Sequence, residues 1–293
     1  MIRIISVLIT LSLLLISCGN NDTPPGGSGL IEADDVVISS EVAGKILAMN
    51  FDEGDMIGIS DKICTIDTTT YKLRLDQTVA LKSASETNIK MAKLNLQQVG
   101  INYSLAEKEF NRVKQLLPTG SANQQQYDKI ENAYKQAEVG KLQAEAALEA
   151  ARSDLAKVTA EIAILEESLD NCTPQAPISG RIIKKYISAG ELIAPGKGIV
   201  KIASLDTVWV KVYLPPADLT KIKLGGTAQI NPEDGRDSFL EGYISWISSE
   251  AEFTPKNIQT KEARADLVYA VKLIIPNENE RLKIGMPVSV TIQ

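Results

Sequence analysis

The sequence predicts an α+β chain of elongated, multidomain build: an antiparallel β-barrel, a small β domain cut in two, and a long antiparallel coiled-coil α-hairpin between its halves. Three observations predict it. Residues 42–67 repeat without a gap at residues 178–203. The stretch between the copies carries apolar residues at alternating steps of three and four. Beyond the second copy, apolar and polar residues alternate with period two.

At the N-terminus, Met1-Ile2-Arg3 precedes an apolar run from Ile4 to Ile16. That run is too short to cross about 30 Å of hydrocarbon as a helix and reads as a signal-peptide core over residues 1–17. It ends in Leu15-Ile16-Ser17-Cys18, which resembles the bacterial lipobox. The resemblance implies cleavage before Cys18, whose thiol takes the lipid. Acyl chains at roughly 0.8 kcal/mol per buried CH₂ would then hold the chain on a membrane. Residues 18–30, rich in Asn, Pro and Gly, read as a flexible tether.

Composition narrows the function classes. Thirty-one basic residues against 37 acidic ones give a net charge of −6, with no basic stripe to follow a phosphate backbone, so nucleic acid is not an expected partner. The absence of His removes the commonest general base and the commonest transition-metal ligand. Met49, Met56, Met91 and Met286 are scattered, which argues against soft-metal delivery. Neither catalysis nor a metal site is expected. With Cys18 taken by lipid, Cys64 and Cys172 remain; an oxidising compartment permits a disulfide between them, and two buried free thiols are the other reading.

Within the repeat, Gly44 meets Gly180 and Gly54 meets Gly190, while Ile46, Ile57, Ile63 and Ile66 fall on Ile182, Ile193, Ile199 and Ile202. Each copy reads as strand, turn, strand, with a glycine at the turn (Gly54-Asp55, Gly190-Glu191) supplying φ > 0. One such unit cannot bury its apolar face alone, so the two copies should pack face to face. The arrangement, over 42–68 and 173–203, resembles the biotinyl/lipoyl carrier domain. Carriers present a modified lysine on the turn joining the halves. Here that turn is replaced, and Lys72, the lysine near the expected place, lacks the flanking pattern of a modification site, so no cofactor is expected.

The replacement, residues 69–172, is dominated by helix formers. In the first arm the seam runs Ile89, Ala92, Leu96, Val99, Tyr103, Ala106, Phe110, Val113, Leu117. In the second it runs from Tyr127 and Ile130 to Leu165 and Leu169, broken by Lys141. This heptad pattern specifies a left-handed coiled coil. Below Ile89 the same register would put Lys82 and Ser85 in the seam, and a register shift is expected there. Pro118 and Gly120 end the first arm, and Asn123 followed by Gln126 reads as a capping box opening the second. Arms of this length extend about 70 Å at roughly 1.5 Å per residue, and their ends emerge side by side.

Residues 204–293, with 31–41 in front, read as the β-barrel. Val208–Leu214, the stretches near Ile244 and Tyr269, and Val288–Ile292 supply period-two strands, and the strand around Val36–Ile38 is expected to complete it.

A lipobox, a split lipoyl-like pair and a coiled-coil insertion together resemble the membrane fusion proteins, or HlyD-like periplasmic adaptors, of tripartite efflux pumps and type 1 secretion systems. Residues 252–272 and Leu282-Lys283-Ile284-Gly285-Met286-Pro287-Val288 look most like the branch serving ABC-type exporters. The resemblance implies a non-enzymatic link between an inner-membrane transporter and a TolC-like outer-membrane channel. It also implies a homo-oligomeric ring or funnel in the periplasm, lipid-anchored to the inner membrane. In many of these adaptors the hairpin tip carries an Arg, Leu, Ser set that meets the channel; the matching positions are Arg112, Leu116 and Asn123, the last a departure able to cap a helix. The competing readings are an adaptor of a proton-driven pump, a carrier subunit, and a passive coiled-coil envelope lipoprotein.

Overall fold

The computed structural model describes residues 24–234, 239–253 and 267–293; the signal peptide and Cys18 lie outside them. In chain order, β1 (Gly26–Glu32) is followed by β2 (Asp35–Ser39), β3 (Gly44–Met49), β4 (Met56–Ile57) and β5 (Cys64–Ile66). Two helices come next, α1 (Thr69–Leu116) and α2 (Gln124–Asp170). Then follow β6 (Gly180–Lys185), β7 (Leu192–Ile193), β8 (Gly198–Ala203), β9 (Thr207–Leu214), the one-turn α3 (Pro216–Leu219) and β10 (Thr227–Pro232). The last strands are β11 (Leu240–Ile247), β12 (Glu252–Phe253), β13 (Leu267–Pro276) and β14 (Pro287–Ile292). The chain divides into two compact units, one of residues up to 36, 178–183 and 202–293, the other of 37–177 and 184–201.

The first unit is the barrel. Its strands run β11-β10-β14-β1-β9-β13, and β13 pairs back with β11, which closes the ring and leaves β12 on the outside edge of β13. Closure removes the unpaired edges that would recruit another strand. Period-two patterning sends Val208, Val210, Val212 and Leu214 inward, and they are fully buried with Ile230, Ile244, Leu273, Ile275 and Val288.

Two expectations are corrected here. The strand that completes the barrel from the N-terminal side is β1, paired with β14 and β9, whereas β2, the strand around Val36–Ile38, joins β8 in a separate four-stranded sheet of order β2-β8-β6-β4. Part of the expected tether, 26–30, is therefore strand. Its glycines are not flexibility: a Cβ on Gly29 would lie 2.5 Å from the Lys211 carbonyl oxygen and 2.6 Å from Val210 Cγ2, so Gly is what allows β1 this close to β9.

The second unit bears the hairpin and most of the duplicated β domain. The duplication is visible bond by bond at the offset of the repeat. Asn50 N–H donates to Ile63 O at 3.0 Å and Tyr186 N–H to Ile199 O at 2.9 Å; Asp61 N–H donates to Gly58 O and Lys197 N–H to Ala194 O. The halves also exchange segments. Ala176, which precedes the second copy, bonds both ways with the first copy through Ser60 and Asp61, while Ser40, which precedes the first, bonds both ways with Gly196 and Lys197 of the second. Neither half is closed without the other. Ile46, Ile57, Ile63 and Ile66 and their mates Ile182, Ile193, Ile199 and Ile202 are all buried. Gly54 and Gly190 take φ of +95° and +92°, as the turn reading requires.

The hairpin departs from expectation at its base. Along α1, protected residues continue Tyr71, Leu75, Thr78, Lys82, Ser85, Ile89 at steps of four and three, with no register shift. Polar residues are carried in the seam instead: Thr78 returns its hydroxyl to the Arg74 carbonyl at 2.9 Å, and Lys82 is only half-buried, its long stem able to cover apolar surface while the ammonium reaches water.

Candidate functional site

The site is the far end of the hairpin, where the chain reverses between α1 and α2. Leu117–Thr119 tighten into a 3₁₀ turn and Gly120 takes a left-handed φ of 71°. The Thr119 hydroxyl donates to the Leu116 carbonyl at 2.8 Å. Asn123 stands at the N-cap of α2, its Oδ1 accepting from Gln126 N–H at 2.8 Å, so one of that helix's unpaired amides is satisfied.

Behind the turn lies a feature that reading the arms one at a time does not reveal. Phe110 stacks on Tyr134 with centroids 5.0 Å apart and planes 6° apart, and tilts against Tyr127 at 5.7 Å. Two turns back along α1 from Phe110, Tyr103 lies 5.6 Å from Tyr134 and the two share a hydrogen bond between their hydroxyls at 3.1 Å. Aromatic pairs of this kind contribute about 0.5–1.5 kcal/mol each beyond their burial. The hydrogen bond shared with Tyr134, with desolvation and the Glu107 carboxylate beside it, holds the Tyr103 phenol well above the usual tyrosine range, so Tyr103 stays protonated. The signal was present in sequence: all four rings fall on seam positions, two in each arm. Lys141, the interruption in the second seam, extends its ammonium over the Tyr103 ring at 4.9 Å and pairs with Glu145 at 3.7 Å, which accounts for a charge at that position.

Arg112 and Leu116 lie one turn apart on α1, off the seam residues Phe110, Val113 and Leu117, and so on a common face beside the turn. Arg112 is exposed and Leu116 is 39% exposed. The set named from sequence therefore divides. Arg112 and Leu116 face solvent on a rigid support, whereas Asn123 has its side chain committed to the cap.

At the other end of the hairpin, Cys64 and Cys172 are free, buried thiols rather than a disulfide. Burial pushes Cys64 up to about 11 and Cys172 in the same direction, and Cys172 Sγ donates to the Ser168 carbonyl at 3.3 Å. Lys72 lies in the first turn of α1, where a carrier would have its modified turn. No group of His, Cys, Asp and Glu able to hold a metal ion occurs among the described residues.

Comparison with known proteins gives likenesses of three kinds, to a family model, to relatives and to a solved structure. The family model described as RND MFP (membrane fusion protein), barrel-sandwich hybrid domain, matches residues 34–203. A UPF0194 membrane protein of Acidithiobacillus ferridurans is 34% identical over 143 residues, 49% of this chain and 42% of that protein. A UPF0194 membrane protein of Yersinia enterocolitica is 25% identical over 286 residues, 89% of this chain and 87% of that protein. Among solved structures, that of MacA from Actinobacillus actinomycetemcomitans has a TM-score of 0.65 at 19% identity, covering 92% of this chain and 79% of that one. At that identity the likeness speaks for the fold.

Proposed function

This chain belongs to the membrane fusion protein family whose barrel-sandwich hybrid domain it carries, and on that premise we propose that it is a periplasmic adaptor joining an inner-membrane ABC-type exporter to a TolC-like outer-membrane channel. The observation that carries the reading is the hairpin tip. Arg112 and Leu116 are held off the seam, in solvent, at the end of two helices of 48 and 47 residues braced by the four-ring cluster. A passive stalk needs length but no such braced end. The tip is the channel-docking surface, with Asn123 shaping the turn behind it.

Anchoring is assigned to acylated Cys18, in the inner membrane. Assembly into a ring or funnel is supported by Met91, Leu94, Ile101 and Leu105, exposed apolar residues on the side of α1 away from the seam. The ABC assignment rests on the C-terminal resemblance, of which residues 252–253, 267–272 and 282–288 are described: Leu282 is fully buried and Gly285 turns at φ 83°. A second reading has an RND pump as partner, favoured by the designation of the matching family model. Affinity capture of the full chain from cross-linked cells, followed by mass spectrometry of the captured membrane proteins, separates them. Recovery of an ATP-binding cassette transporter supports the first reading and recovery of an RND permease the second; recovery of neither sinks both and leaves the passive stalk.

A further inference from the structure

The outward side of the barrel is uneven in chemistry. Cross-strand register places Thr227, Tyr243, Ile274, Trp209 and Glu32 side by side in one row across five strands. The neighbouring row is Trp246, Lys272 and Lys211. Their sequence neighbours Ile244, Leu273, Ile275, Val208 and Val210 are buried inside the barrel, so these rows face out. Tyr243 is 43% and Trp246 45% exposed. Trp246 is outward because of a local irregularity. The register shifts between Ile244 and Trp246, and the bulged Ser245 donates its hydroxyl to the Lys272 carbonyl at 3.1 Å; strict alternation after Ile244 would turn Trp246 inward. Trp209 sends Nε1–H to the Asp34 carboxylate at 3.1 Å while Lys272 Nζ lies 4.2 Å from its ring centroid. The two tryptophans of this band are the only two in the chain.

We propose that this band seats against the phospholipid headgroup layer of the membrane that holds Cys18, giving the barrel a second membrane contact; the inference rests on the lipoprotein reading. Tryptophan and tyrosine combine an apolar ring with a polar handle, and they concentrate where hydrocarbon meets headgroups. Lysines beside them extend to lipid phosphates while their stems cover apolar surface. Protein interfaces are enriched in arginine and depleted in lysine, and the band carries two lysines and no arginine. Distance agrees. From Cys18 to Gly26, where β1 begins, a fully extended chain spans roughly 28 Å at about 3.3–3.6 Å per residue, so an acylated Cys18 keeps the barrel beside the bilayer. Tethering raises the local concentration of the lipid surface, and a weak band then suffices.

Because both tryptophans lie in the band, the unmodified protein reports on it. The mature, acylated chain is reconstituted into phosphatidylcholine/phosphatidylglycerol vesicles with brominated or ordinary acyl chains, and flotation and tryptophan emission are both measured. The expected result is co-flotation, a blue shift and loss of emission in brominated vesicles, with Tyr243→Ser weakening the loss while flotation stays unchanged. Co-flotation with unquenched, unshifted emission overturns the band and leaves the anchor standing. Failure to float overturns the anchor and the band with it. Emission that shifts only when solubilised inner-membrane transporter is added assigns the face to a protein partner and overturns the lipid contact.

Discussion

The two halves of the duplicated β domain share a backbone and differ in how they tolerate a side chain. In the first, a Cβ on Gly44 would lie 2.5 Å from Ile66 Cγ2, a branch methyl that can yield only if the buried Ile66 side chain shifts about its stiff χ1. In the second, a Cβ on Gly180 would lie 2.3 Å from the Ala203 carbonyl oxygen and 2.8 Å from its carbon, which are backbone and cannot give way without moving β8. The same glycine, in the same place in the motif, is thus required for a harder reason in the second copy. Duplication has preserved the hydrogen-bond scaffold, while packing around it has diverged.

Four measurements would break or sharpen that comparison. Gly180→Ala should be the most damaging, at roughly 3 kcal/mol, because the clash is with backbone, whereas Gly44→Ala should cost nearer 2 kcal/mol because Ile66 can repack; equal losses in chemical denaturation would contradict the distinction. Gly54→Ala and Gly190→Ala should each cost about 1 kcal/mol, and equally, since both sit at positive φ with open space around the missing Cβ. A large inequality between them would show that the turns are not equivalent. Ser60→Gly should change stability least, within about 0.5 kcal/mol. Ser60 holds φ +68° where its mate Gly196 holds +81°, and relief of left-handed strain is offset by the greater freedom of glycine when unfolded. The mildest test leaves the sequence unchanged. Burial keeps the Cys64 and Cys172 thiols protonated at neutral pH, so neither should react with a thiol reagent until the protein is unfolded. Unfolded protein without reactive thiols would mean that a disulfide forms after all.

Much of this fold was legible because it rests on periodicity. The seam of α2 from Tyr127 to Leu169 is the heptad read from sequence, and the turn glycines at 54 and 190 stand at the two sharp reversals. What was misread had a common cause: composition stood in for geometry. Gly26–Gly29 look like a linker, yet they permit close strand approach, a contact that only the register with β9 and β14 reveals. Lys82 and Ser85 look like a break in the seam, yet a coiled coil can carry half-buried polar residues over a turn or two. Val36–Ile38 form a strand as expected, but with β8, because strand exchange between the duplicated halves places the segment before each copy on the other. At the tip, Arg112 and Leu116 could be placed on one face by counting. The stacking of Phe110 on Tyr134 needed the pairing of two arms in three dimensions.

The most direct test of the adaptor reading is site-specific photo-cross-linking in intact cells from position 116, with position 139 on the flank of α2 as the control. The predicted result is an adduct with the outer-membrane channel from 116, lost when Arg112→Glu is added to the same chain while the protein remains folded, and no such adduct from 139. A folded, membrane-associated protein that gives no channel adduct from 116, or gives it equally from both positions, would contradict the assignment of channel docking to the hairpin tip.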